Sequence, residues 1–218
     1  MRGLLIAIEG PDGAGRTTQA RALAEWLAGR GLPATLLRLK HSELARDTLQ
    51  ELQRSMDVSE RALFLLYAAD LADLLQREAE PVLAAGGIVL FDRYTLTPRV
   101  RAQLGGLDAD WISSALSFAP PADLTLLLEA PARERLRRLL ARRRFLQPRE
   151  AGAMGPLPDF TRAVRYQRRI GRLYSDAAGR AGVTRIDAAL PEQAVRAAAR
   201  RAVQRLVRRA LRAKEGSE

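Results

Sequence analysis

The sequence predicts an α/β fold: a five-stranded parallel sheet with helices on both faces. Three observations carry this. Short apolar runs alternate with helical stretches along the chain. The first run, Leu4-Leu5-Ile6-Ala7-Ile8-Glu9, lacks helical spacing, as a strand buried on both faces does. It passes through the glycine-rich turn Gly10-Pro11-Asp12-Gly13-Ala14-Gly15 straight into a helix.

That helix is expected from Thr17 to Ala28, with Ala20, Leu23, Ala24 and Leu27 at helical intervals and Gly29 as its stop. A second strand fits 34–39. A third fits 88–91, announced by Gly86-Gly87 and ended by Asp92. A fourth follows Pro120-Pro121 at 124–128, and a short fifth spans 183–186. Helices are expected at roughly 42–54, 58–79, 108–117, 131–144, 160–180 and 191–213. Crossovers between parallel strands should be right-handed, and ligands should sit beyond the carboxyl ends of the strands.

The turn itself carries chemistry. Residues 10–17 follow the phosphate-loop pattern G-x-x-x-x-G-K-[ST], with Arg16 in the lysine position. Glycines there let backbone N–H groups turn inward around phosphate oxygens, and the helix N-terminus adds free donors and partial positive charge. Gly10, Pro11, Asp12, Gly13, Ala14, Gly15, Arg16, Thr17 and Thr18 are therefore candidates for binding a nucleoside triphosphate. Thr17 supplies the hydroxyl that ligates Mg²⁺ in such loops, and Asp92, ending a neighbouring strand, is the second candidate metal residue.

The chain's 218 residues suit one P-loop domain over 1–218. No cysteine is present, which excludes disulfides and thiolate metal sites. Apolar runs fall short of the roughly 18 residues a membrane span needs. The start of the chain reads as a core strand rather than a secretory leader, so a cytoplasmic protein is expected. Net charge is +11, nearly all from arginine. Such a surface attracts phosphorylated molecules or nucleic acid. The aromatic residues are not interleaved with the arginines, which argues against a base-stacking platform for nucleic acid.

Taken together, several phrases resemble the thymidylate kinase family of nucleoside monophosphate kinases. They are Ile8-Glu9-Gly10-Pro11-Asp12-Gly13-Ala14-Gly15 running into Thr17-Thr18-Gln19, then Leu65-Leu66-Tyr67-Ala68-Ala69-Asp70, then Asp92-Arg93-Tyr94. Ala122-Asp123-Leu124-Thr125-Leu126-Leu127-Leu128 and Ile186-Asp187-Ala188 complete the order. The resemblance implies transfer of the ATP γ-phosphoryl to dTMP, Mg²⁺ as cofactor, and a homodimer formed by helices. It implies roles as well. Asp12 and Arg16 sit near the transferring group, Arg38 and Arg93 contact the acceptor phosphate, and Tyr67 stacks on the acceptor base with Phe64 behind it. Glu9 either lines the acceptor site or braces the backbone. A lid is expected at about 142–160, with Arg142, Arg143, Arg144 or Arg149 reaching the γ-phosphate; Arg143 is the candidate.

This chain departs from the family pattern at three places. Arg16 replaces lysine, a larger and planar group. Arg38-Leu39-Lys40-His41-Ser42 replaces the family's Arg-Glu-Pro-Gly-Gly-Thr phrase. Leu71 follows Asp70 where the family has arginine. These departures leave a second reading open: a nucleotide-binding protein of this fold with a regulatory or structural role.

Overall fold

The computed structural model describes residues 3–40, 42–55, 58–143, 145–146, 150, 160–179 and 182–215. His41, Arg144, Arg149 and most of the lid expected at 142–160 lie outside them. The described elements are β1 (Leu4–Glu9), α1 (Arg16–Ala28), β2 (Ala34–Arg38), α2 (Arg46–Ser55) and α3 (Glu60–Leu74). A π-helical stretch (Leu75–Ala79) leads into α4 (Glu80–Ala84), β3 (Ile88–Asp92), α5 (Leu96–Leu104) and α6 (Ala109–Ala115). β4 (Leu124–Glu129), α7 (Ala132–Arg143), α8 (Phe160–Ala177), β5 (Val183–Asp187) and α9 (Glu192–Glu215) follow.

The five strands form one all-parallel sheet in the order β2-β3-β1-β4-β5. The apolar strands divide their side chains by parity. Leu5, Ala7, Leu37, Val89 and Phe91 pack with α3 residues such as Leu63, Tyr67 and Leu71. Leu4, Ile6, Ile8, Leu90 and Leu126 pack with Leu23 and Leu27 of α1 and Val195 and Val203 of α9. Both faces are covered at the centre of the sheet, which is why β1 and β3 are buried along their whole length.

Register sets the site. Ile8 on β1 and Arg38 on β2 both pair with Asp92 on β3, so the carboxyl edge of the central strands brings Arg38 beside Asp92.

Two elements differ from expectation. The helix expected at 58–79 continues to Ala84, and Pro81 accounts for its irregularity. Proline lacks an N–H and its ring crowds the carbonyl four residues back, so the preceding turn widens instead of ending. Helix α5 was not among the expected helices. Its first turn contains Pro98, and its N-terminal donors are satisfied by a distant side chain, Glu9.

Candidate active site

The chain turns at β1 into a loop whose shape depends on glycine. Gly13 has φ +81°, and a Cβ there would lie 2.6 Å from the Arg135 carbonyl oxygen. Gly15 caps α1 in the left-handed region with φ 93°. Helix α1 has no side-chain cap and no acid in its first turn, so its free N–H groups face the loop interior unopposed.

A cleft of about 520 Å³ lies over this loop. Its lining joins Asp12, Gly13, Gly15, Arg16, Thr17 and Thr18 to Arg38, Lys40, Asp92 and Arg93. Arg138, Arg142 and Arg143 of α7 close it from above. The P-loop, the ends of β2 and β3, and the end of α7 therefore meet in one strongly cationic space.

Asp12 is its central anion. Arg16 Nη2 donates to Asp12 Oδ1 at 3.1 Å, Arg93 donates to the same oxygen, and Arg101 donates to Oδ2. Burial opposes ionisation of Asp12, but the charges of Arg93, Arg101, Arg16 and Lys40 outweigh it. The carboxyl group is held well below its usual range, as an anion. Burial likewise works against the charge of Arg93 and Arg101, and Asp12 more than restores it.

Arg16, only 7% exposed, lies between two carboxylates. Its Nε stands 3.6 Å from Asp92 Oδ1. Its Nε and Nη1 are buried without a hydrogen-bond partner, as is Asp92 Oδ1. Thr17 Oγ1 donates to Asp92 Oδ2 at 2.6 Å. Arg38 Nε donates to that same oxygen at 3.1 Å and its Nη2 to Thr17 Oγ1 at 2.8 Å. Burial would raise the Asp92 pKa, but Arg16, Arg93, Thr17 and Arg38 together lower it.

This donor set fits Mg²⁺. The metal prefers oxygen and takes one or two protein ligands, completing its shell with water and substrate phosphates. Thr17 Oγ1 and the orphaned Asp92 Oδ1 are oxygens of the right kind. Among the described residues no group of three or more His, Cys, Asp or Glu forms a self-sufficient metal cage.

Glu9 is fully buried and turned away from the cleft. Its Oε1 accepts from the backbone N–H groups of Tyr94 at 2.7 Å, Leu96 at 3.0 Å and Thr97 at 3.1 Å, and its Oε2 from Thr97 Oγ1 at 2.6 Å. Burial raises its pKa despite these bonds. The carboxylate fastens the Asp92-Arg93-Tyr94 corner and the start of α5. It thereby aims Arg93, whose backbone sits in the left-handed region at φ 77°, and Arg101.

Tyr67 and Phe64 do not line the cleft. Both are buried in the α3 core, with the Phe64 ring centroid 5.3 Å from that of Trp111. Lys40, at φ 76°, lays its ammonium 5.0 Å above the Tyr67 ring centroid. Asp70 holds that turn, accepting from the N–H groups of Lys40 and, at 3.0 Å, Ser42. Arg143 is at the cleft, paired with Glu150 at 2.9 Å.

Arg101 and Arg135 are absent from the sequence-based candidates, as are Arg21 and Arg138 of the cleft lining. Arg101 rides on the unexpected helix α5. Arg135, 1% exposed, lies behind Gly13. It donates to the carbonyls of Ala130 at 3.0 Å and Gln167 at 2.7 Å, and to Gln167 Oε1. Burial without a carboxylate partner lowers its pKa to about 10, against the pull of Asp12. Gln167 Nε2 in turn donates to the Glu150 carbonyl at 2.6 Å.

The thymidylate kinase family model matches residues 8–199. The chain belongs to the thymidylate kinase family. A probable thymidylate kinase of Pyrococcus horikoshii is 36% identical, covering 80% of this chain and 82% of that protein. A probable thymidylate kinase 2 of Saccharolobus solfataricus is 32% identical over 82% of this chain and 84% of its own length. A thymidylate kinase of Synechococcus sp. (strain RCC307) is 33% identical over 97% of this chain and 98% of its own length. The matched region contains the P-loop, Asp92-Arg93-Tyr94 and α5, so the residues meeting at the cleft lie within family sequence.

Proposed function

We propose that this protein is a dTMP kinase, transferring the γ-phosphoryl of ATP to dTMP to give dTDP. The carrying observation is the cationic cleft in which the P-loop, Thr17 with Asp92, and Arg93 face one another. Family membership supports the acceptor.

Phosphoryl transfer of this kind is mostly positioning and charge neutralisation. The N–H groups of the loop over Gly10, Pro11, Asp12, Gly13, Ala14 and Gly15, with Arg16 and Thr18, hold the donor's β and γ phosphates. Thr17 and Asp92 would hold Mg²⁺, which neutralises charge building between those phosphates. Arg93 and Arg38 grip the acceptor phosphate, where a planar guanidinium matches two oxygens at once. That phosphate is already largely deprotonated at neutral pH, its second pKa being about 6, so the reaction needs no general base. Asp12 accordingly acts as a fixed anion that spaces Arg16, Arg93 and Arg101 around the reacting groups. Arg143, released from Glu150, meets charge on the γ-phosphoryl in this reading. Glu9 takes the bracing role, and Tyr67, backed by Phe64, takes the acceptor base once Lys40 lifts from its ring. The protein acts in the cytoplasm as one domain over 1–218 and as a homodimer packed through helices.

The test is coupled ATP turnover with each NMP and dNMP. dTMP should give the highest kcat/KM. Absence of turnover with every acceptor would overturn the reading.

A further inference from the structure

We infer that Arg38 occupies the seat of the metal and yields it when the acceptor phosphate arrives, so that acceptor binding loads the cation. This deepens the phosphotransfer reading and rests on it for the identity of the acceptor.

Three groups form a closed set at the cleft floor. Thr17 Oγ1 donates to Asp92 Oδ2 at 2.6 Å, and one guanidinium donates to both oxygens, at 2.8 and 3.1 Å. A divalent cation bound there needs a lone pair of Thr17 Oγ1 at about 2.1 Å. Arg38 Nη2 already uses one of its two. A dication on that oxygen would also sit within about 4 Å of a partly buried guanidinium, and like charges repel there. Arg38 and the metal therefore compete, through charge, for the Thr17 and Asp92 oxygens.

Of the two arginines beside Asp92, Arg38 is the one able to leave. Arg16 is 7% exposed, begins α1 and is tied to Asp12. Arg38 is the last residue of β2, its side chain is 35% exposed, and it has room on both sides. It lines the 520 Å³ cleft together with Lys40 and Arg93. It also lines a neighbouring cavity of about 300 Å³ in which the Glu78 carboxylate stands. A phosphate monoester entering the cleft beside Arg93 offers Arg38 two oxygens in exchange for the two it gives up. Asp92 Oδ2 and Thr17 Oγ1 are then relieved of Arg38 and open to the cation, with Arg16 still beside Asp92 Oδ1. Coupling between two sites is reciprocal, so metal at Thr17 must raise acceptor affinity by the same factor.

The experiment uses the full chain carrying an unreactive ATP analogue with an imido β–γ bridge. Free Mn²⁺ is followed by electron paramagnetic resonance, with and without dTMP. In the wild type, dTMP should tighten Mn²⁺ at least about fivefold, the lower end of ordinary site-to-site coupling. Arg38→Met, which keeps length and loses charge, should bind Mn²⁺ at the tightened level without dTMP and gain nothing from it. Arg38→Lys should retain part of the dTMP effect. Wild-type Mn²⁺ affinity in Arg38→Met without dTMP would overturn the inference. Calorimetry of dTMP in EDTA runs alongside. If dTMP fails to bind, the acceptor assignment falls, while the dTMP-free comparison of wild type and Arg38→Met still decides the seat.

Discussion

Thr17 and Asp92, on different elements and 75 residues apart, are joined at the floor of the cleft by one hydrogen bond, Thr17 Oγ1 donating to Asp92 Oδ2 at 2.6 Å. The parallel register of β1, β2 and β3 makes that meeting unavoidable, because Asp92 ends β3 beside Ile8 and the P-loop leaves β1 immediately after Glu9.

Asp92→Asn should retain the fold and lose the reaction. The amide keeps an acceptor for Thr17 but removes the anion that Arg16 and Arg38 face. We expect kcat/KM to fall on the order of a hundredfold or more, the cost of misplacing a reacting centre by about an ångström. The Mg²⁺ concentration for half-maximal rate should rise in parallel. Steady-state kinetics across a magnesium series checks both.

Arg16 fills a place that a shorter ammonium would leave partly open. Arg16→Met should cost about a hundredfold in kcat/KM for ATP. It should also weaken Mg-ATP in calorimetry, because the buried Nε and Nη1 donors disappear. Arg16→Lys should keep more activity than Arg16→Met, since it keeps the charge. Equal activity of the two variants would remove Arg16 from the phosphate site.

Acid stability should report Asp12 and Asp92. Both carboxyl groups titrate below their unfolded values of about 3.8. Their stabilisation is therefore fully present above that pH and is lost as pH falls through their lower folded values. The wild type should destabilise steeply below about pH 4, and Asp12→Asn should show a shallower slope there from a lower plateau. At pH 7 that variant should lose about 3 kcal/mol, because three guanidiniums then crowd a neutral amide. Urea melts from pH 3 to 7 measure both quantities.

Glu9→Ala should be a stability variant before it is a kinetic one. It strands the N–H groups of Tyr94, Leu96 and Thr97 in the interior, at about 1 kcal/mol or more each. The Tm should drop by roughly 6 °C or more in a domain of this size. kcat/KM should fall with it, since α5 carries Arg101. A variant with unchanged Tm would show that the corner holds itself.

The P-loop and five strands were legible because they are local signals: an apolar run, fixed glycine spacing, then helical periodicity. Helix α5 was not, because its cap is a carboxylate 87 residues away and its first turn holds a proline. Arg101 stayed hidden with it. Arg135 was illegible for another reason. A fully buried arginine is rare, and nothing in Ala132-Arg133-Glu134-Arg135 distinguishes it from its solvated neighbours. The closeness of Tyr67 and Lys40 depends on Asp70 gathering the turn after β2, a contact across 30 residues that no periodicity foretells.

Arg135 has one more implication. Its carbonyl limits the space beneath Gly13, while its guanidinium grips Gln167, which holds the Glu150 backbone next to Arg143. A continuous chain of contacts thus runs from beneath Gly13 of the P-loop to Arg143 at the end of α7. A change at either end of these contacts should therefore be felt at the other, which makes Arg135 and Gln167 the links to disturb when asking whether the P-loop and Arg143 act as a unit.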